Sequence, residues 1–294
     1  MPTPPRVRWT FHGTAAVHSY DAALAWLGRF CGCRALEYTD NSDPLVARKG
    51  GVTWIGDNGL ELMEPNDPDG APGRFLSRYG PGLYALALQV EDLTEAAAWL
   101  GDRGAGIVGE TQRGFIFTKP QHTCSVYLEW ADKHFEFDPR FGAPLPPPPT
   151  EALIDVPRIA YWGALVADPK AALDRLQELW PAPVLWERAG ADGTEPAAAL
   201  SIADGALVLY GLPEDPGQTR ELWGLDVHRP RLHVMALRVR DLRAAADTLE
   251  REGVRRLRGE PTDGEFLTHP ADTCGIPIAW TDRDIPGDPR GPLR

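Results

Sequence analysis

Residues 83–90, LYALALQV, read as a strand, residues 91–92 form an acidic corner, and apolar positions resume at helical spacing over residues 94–100 before Gly104. The same succession returns at residues 235–253, MALRVRDLRAAADTLEREG, with Gly253 149 positions after Gly104. A strand, Asp corner and helix repeated at this distance predicts a repeated fold unit.

Ahead of this stretch, residues 9–17 predict a short apolar strand. Ser19 or Asp21 caps a helix whose buried face is Ala23, Leu24, Trp26, Leu27 and Phe30. Residues 34–39 and 46–55 predict two further strands, with turns at Lys49-Gly50-Gly51 or Asp57-Asn58-Gly59, and residues 60–63 a fourth, stopped by Pro65. This is a βαβββ module. A loop over residues 66–70 leads into a second module that starts with residues 83–90 and continues with strands near 107–108, 114–118 and 126–130.

The second half repeats the first: strand 160–166, helix 169–179, strand 206–210 answering 60–63, and strand 232–239. Thr118-Lys119-Pro120 is matched by Thr268-His269-Pro270, and HTCSVYLEWAD at 122–132 by DTCGIPIAWTD at 272–282. The expected class is α+β, built from tandem paired βαβββ modules. Pro144 and Pro146 to Pro149 favour an extended spacer, so the expected division is a first domain at 1–143, a linker at 144–155, a second domain at 156–284 and a flexible tail at 285–294.

Composition narrows the partners. A chain of 294 residues, 43% apolar, can bury one or two cores, and 42 acidic against 30 basic residues give a net charge of -12. That charge argues against nucleic acid and anionic membranes as partners. No apolar run approaches the roughly 20 residues that span a bilayer, and the N-terminus lacks an apolar signal core. Four cysteines, with Cys31 and Cys33 too close for an ordinary bridge and no matching histidine spacing, read as reduced thiols of a cytoplasmic protein. Cys124 and Cys274 recur at equivalent positions and read as packing. There is no phosphate loop and no nucleophile elbow.

The phrases HGTAAV, DAALAWLGRFCGC, GLELMEP, ALQVEDLTEAAAWLGDRG and FTKPQHTCSVYLEW resemble the vicinal oxygen chelate superfamily. That superfamily includes glyoxalase I, methylmalonyl-CoA epimerase, extradiol dioxygenases and bleomycin resistance proteins. The resemblance covers about residues 6–140 and 156–284 and implies curved mixed sheets that close around open cups. It further implies four inward positions for metal ligands. His12, five residues before Val17, Glu61 and Glu129 match three of them, while Ala85 stands where the fourth would be histidine. In the second domain the corresponding residues are expected to be Trp162, Val208, Val234 and Ala279, none a ligand, with His233 beside the third position.

A His, Glu, Glu set suits a divalent cation such as Zn, Ni, Co, Mn or Fe. Glu61 and Glu129 are then also the catalytic proton carriers of a metal-dependent isomerase, epimerase or lyase acting on a small α-oxygenated carbonyl compound. His122 is a possible additional ligand, and Arg48, Trp54 and Tyr84 are pocket candidates. The alternative is a metal-free protein that binds or sequesters a small molecule, with Arg48 neutralising a buried carboxylate. Either form is compatible with a monomer or a homodimer.

Overall fold

The computed structural model describes residues 2–43, 45–148, 151–188 and 195–293; Pro149 and Thr150 of the expected linker and Arg294 of the expected tail lie outside them. The first sheet has nine strands: β1 (Val7–Ala16), β2 (Arg34–Ala35), β3 (Thr39–Asn41), β4 (Arg48–Ile55), β5 (Asn58–Pro65), β6 (Gly82–Val90), β7 (Ile107–Val108), β8 (Phe115–Thr118) and β9 (Leu128–Ala131). Three helices accompany it: α1 (Tyr20–Cys31), α2 (Ala71–Tyr79) and α3 (Leu93–Asp102). The strand order is β2-β4-β5-β1-β6-β9-β8-β7, with β3 paired to β4. The two βαβββ modules therefore meet where β1 and β6 run antiparallel, each flanked on its other side by a parallel partner, β5 or β9.

The second sheet repeats this order with eight strands: β10 (Arg158–Val166), β11 (Val184–Glu187), β12 (Pro196–Ser201), β13 (Ala206–Gly211), β14 (Arg231–Arg238), β15 (Arg256–Arg258), β16 (Glu265–Thr268) and β17 (Ile278–Thr281). Its helices are α4 (Pro169–Leu179), α5 (Pro216–Trp223) and α6 (Leu242–Arg251). The acidic corners are helix caps: the side chains of Asp92, Asp168 and Asp241 accept hydrogen bonds from the amides of Glu95, Ala171 and Ala244.

Two local differences from the sequence reading have physical reasons. The expected strand 34–39 is broken into β2 and β3, because both pair with β4 but at separate places. Helix α2 occupies what reads as loop; its start carries Gly70, Pro72 and Gly73 where apolar periodicity is masked, and a Cβ on Gly73 would come within 2.1 Å of the Asp67 carbonyl. Proline at the start of a helix costs no hydrogen bond, so it does not oppose this placement.

One apolar core runs through both domains, formed by the sheet faces that back onto helices α1, α3, α4 and α6. Trp130 of β9 meets Trp180 edge-on at 5.6 Å, and the Trp99 indole donates to the Leu179 carbonyl at 2.8 Å. Trp162 of β10 reaches across to Gly13, where an added Cβ would lie 2.2 Å from the indole. The opposite faces of the sheets form the cups.

The residues that follow the last strand of each domain are hydrogen-bonded to that domain. After the last strand of each domain an Asp-Pro-Arg sequence folds back on the first strand of that domain. Arg140 binds the Asp138 carboxylate and donates to the carbonyls of Thr10 at 2.6 Å and Phe11 at 3.1 Å. Arg290 binds Asp288 and donates to the carbonyls of Ile159 at 2.9 Å and Ala160 at 3.1 Å. Each first strand is also held from the other domain: the Thr10 amide donates to Asp204 at 2.6 Å and the Ile159 amide to Asp57 at 3.1 Å. The repeated FDPRFG and GDPRGP carried this signal in the sequence.

Candidate functional site

Strand register decides which side chains share the first cup. Thr14 of β1 lies opposite Glu61 of β5, His12 opposite Ala87 of β6, and Ala87 opposite Glu129 of β9. With side chains alternating across a sheet, His12, Glu61 and Glu129 line one cavity of about 330 Å³ together with Arg48 and Tyr84. Both β6 residues nearest this set, Ala85 and Ala87, carry only methyl groups.

Two other sequence candidates lie elsewhere. Trp54 is buried, but its indole donates to the Gly56 carbonyl at 2.9 Å and its ring lies under Arg140 at 5.4 Å, outside the cavity lining. His122 faces the domain junction: its Nδ1 accepts from the Gly106 amide at 2.6 Å and its carbonyl accepts from Arg175 of α4 at 3.0 Å. Its ring is committed to fixing the turn before β9.

The two cup carboxyls are in opposite electrostatic states. Burial alone would raise Glu61, but the Arg48 guanidinium, which donates directly to its carboxylate, and His12 hold it below the ordinary value. Burial pushes Glu129 up to about 8, reinforced by the negative charge of Glu61 and opposed by Lys133 and Arg48. Among the described residues Glu129 accepts no hydrogen bond, so nothing but the cavity addresses its oxygens. Burial lowers His12 to about 4, keeping its imidazole neutral, and its Nδ1 lies 3.2 Å from the Thr14 hydroxyl. Environments that push neighbouring titratable groups apart are those that separate acid from base in one site.

These donors do not fit a divalent ion as they stand. Arg48 occupies the Glu61 carboxylate with a positive charge, the β6 position offers no donor, and among the described residues no group of three or more His, Cys, Asp and Glu side chains is arranged to hold a metal. A partly buried guanidinium at a prospective metal ligand opposes the ion by charge as well as by occupancy.

Sequence reasoning missed part of the lining. Phe115 and Phe117 alternate onto the cup face of β8, with Phe117 opposite Glu129 in the register; their spacing in FIFT carried the signal. Lys133 and Phe135 come from the segment after β9, which the Asp138–Arg140 clasp fastens over the cup. The Gln89 amide donates to the Lys133 carbonyl at 2.9 Å and sets where that segment leaves the sheet.

The second domain supports the cup from behind. Arg231 of β14 is buried; it donates to the Tyr79 carbonyl at the end of α2 at 3.2 Å and lies over the rings of Phe75 and Tyr79 at 5.1 and 5.4 Å. Phe75 meets Tyr84 edge-on at 5.0 Å, so α2 and the Tyr84 wall are positioned through a cross-domain contact.

The second cup is filled by its own side chains. By register, Gly163 pairs with Val208 as Thr14 does with Glu61, so Tyr161, not Trp162, stands in the place of His12. Trp162 points into the shared core. The Tyr161 hydroxyl lies 2.8 Å from that of Tyr210 and donates to Glu265 at 2.8 Å, while Trp223, Val208, Val234 and Ala279 pack around them. His233 Nε2 lies 3.2 Å from the Trp223 carbonyl.

The family described as the Glyoxalase/Bleomycin resistance protein/Dioxygenase superfamily matches residues 11–119. A variant of 4-hydroxymandelate synthase from Streptomyces coelicolor superposes with a TM-score of 0.68 at 14% identity, covering 98% of this chain and 97% of that one. A xylose isomerase-like TIM barrel/4-hydroxyphenylpyruvate dioxygenase fusion protein superposes with a TM-score of 0.63 at 14% identity, over 98% of this chain and 51% of the fusion. No curated protein matches in sequence. At these identities the likeness concerns fold alone, and it runs from end to end: the chain carries the vicinal oxygen chelate superfamily fold in two tandem β-sheet domains.

Proposed function

We propose that the first cup binds a small α-oxygenated carbonyl compound and moves a proton on it, as an isomerase, epimerase or lyase working by carboxyl acid–base chemistry. The observation that carries this reading is the pair Glu61 and Glu129 in one cavity: the first is ion-paired with Arg48 and held below its ordinary value, and the second is pushed up by burial and accepts no hydrogen bond among the described residues. Glu61 takes the α-proton. The electron pair of the broken C–H bond moves onto the carbonyl oxygen, and Glu129 supplies a proton there to give an enediol. Protonation of the same carbon from the other face, with the enediol proton returning to Glu129 as the carbonyl re-forms, completes epimerisation; protonation of the former carbonyl carbon, with the α-hydroxyl giving up its proton as the new carbonyl forms there, completes isomerisation. Arg48 and Lys133 lower the energy of the developing negative oxygen. The four free thiols suit a reducing cytoplasm, and the protein acts as a monomer or homodimer.

The test is solvent deuterium incorporation, followed by proton NMR, at the α-carbons of hydroxyacetone, glyceraldehyde and 2-hydroxyacetophenone. Exchange above the buffer rate on at least one compound, reduced on the order of 100-fold in Glu129→Gln, is the expected result for loss of a general acid. Exchange no faster than buffer, or unaffected by the substitution, overturns the reading. With exchange absent but a ligand bound, the cup is a binding site. A metal-dependent form requires Arg48 to leave Glu61. Protein purified without a metal-binding tag should carry well under one equivalent of metal, and one equivalent lost in Glu129→Ala would restore the metal-dependent form.

A further inference from the structure

The aromatic wall and the charges of the first cup together specify a ligand more narrowly than the carboxyl pair does. Phe117 stacks on Tyr127 at 5.0 Å with planes 15° apart and meets Phe115 edge-on at 5.8 Å; Phe11 stacks on Phe135 at 5.2 Å. Rigid rings held by one another present flat apolar faces, which favour a planar guest by offset or edge contacts. A cavity of about 330 Å³ is at the small end for ligand sites, enough for a single ring with a short polar chain.

The cup's cations are not equivalent. Arg48 is held by Glu61, and Arg113 at the mouth by Asp43. Lys133 has no carboxylate partner among the described residues; its ammonium stands over the Phe115 ring at 4.2 Å, and its charge reaches His12, Glu61 and Glu129. An ammonium spared from a salt bridge, exposed at a cavity mouth and touching the aromatic wall, offers charge where a ring-bound ligand would carry its polar group.

We infer that the first cup takes a planar aromatic molecule bearing an anionic oxygen group, its ring against the Phe115 and Phe117 wall and its charge met by Lys133. This rests on the reading of the cup as the reacting site and adds the ligand class. The ring and the charge are recognised by different side chains, so each can be tested alone.

Three probes of similar size separate the two features by isothermal titration calorimetry: 3-phenyllactate, its cyclohexyl analogue, and 3-phenyllactamide. The expected result is a Kd for 3-phenyllactate at least about tenfold below that of either other probe, which corresponds to about 1.4 kcal/mol. In Lys133→Met the preference over the amide should collapse towards unity, and in Lys133→Arg it should remain. Lys133 is exposed, and unchanged circular dichroism in both variants will show that folding is intact. Equal affinity for the amide, equal affinity for the cyclohexyl analogue, a preference that survives Lys133→Met, or no binding of any probe at millimolar concentration overturns the inference. Preference for 3-phenyllactate without α-proton exchange on any carbonyl compound supports the ligand class and overturns proton transfer. Exchange without that preference does the reverse.

Discussion

Replacing Glu129 by Gln removes one titrating group from the cup while keeping its shape. Burial raises this carboxyl from 4.5 to about 8, so between those values the folded protein holds a proton that the unfolded chain has released. The folded state therefore binds more protons, and stability falls as pH rises through this window. Each pH unit costs about 1.4 kcal/mol, and the interval of about 3.5 units gives a total on the order of 5 kcal/mol. His12 acts with the opposite sign: held near 4 against 6.5, it loses stability as pH falls from 6.5 towards 4. Its contribution is common to both proteins and cancels in their difference. Urea unfolding, read by tryptophan fluorescence from pH 4 to 9, measures that difference, and the shared core favours a single transition. The advantage of Glu129→Gln over the parent should grow by several kcal/mol between pH 5 and 8 and level off above. A difference constant within about 0.5 kcal/mol across the range, about one-tenth of the predicted total, refutes the assignment of a protonated Glu129.

Arg48→Met leaves the buried Glu61 carboxylate uncompensated and should destabilise by roughly 3–5 kcal/mol at pH 7; the double variant with Glu61→Gln should recover most of that in the same urea assay. Gly13→Ala directs a methyl to within 2.2 Å of the Trp162 indole and should cost about 1–3 kcal/mol; adding Trp162→Leu should give a coupling of at least about 1 kcal/mol in a double-mutant cycle, and additive losses would show that the contact is not the cause. Arg140→Ala and Arg290→Ala each strand a nearly fully buried aspartate, Asp138 or Asp288, so each should lower stability by roughly 3 kcal/mol. Calorimetric unfolding checks this, and a negligible loss for Arg290→Ala would mean that the C-terminal clasp does not hold the second domain.

The sequence by itself determined the repeat, the class and the strands that frame the cup. Alternation, acidic caps and a repeated 149-residue spacing can be read along the chain, and they survive folding because the modules bury their apolar faces in one shared core. It also brought forward His12, Glu61 and Glu129, which the register gathers in one cavity, and Ala85, which leaves β6 without a donor. Only the tertiary structure decided how those donors are used. Arg48 is thirteen residues from Glu61 in the chain, but whether its guanidinium meets that carboxylate or water depends on the pairing of β4 with β5. The exchange of Tyr161 for Trp162 in the second cup turns on a single step of strand register, which reverses the face of every side chain. Lys133 and the two Asp-Pro-Arg clasps lie in segments without periodicity; the repeated Asp-Pro-Arg marks the clasps, but not which distant carbonyl or ring a charged side chain will reach. The upward shift of Glu129 follows from the same cause: it is set by what surrounds the carboxyl once the sheet has closed, and the flanking residues of its own strand, Leu128 and Trp130, are silent about that.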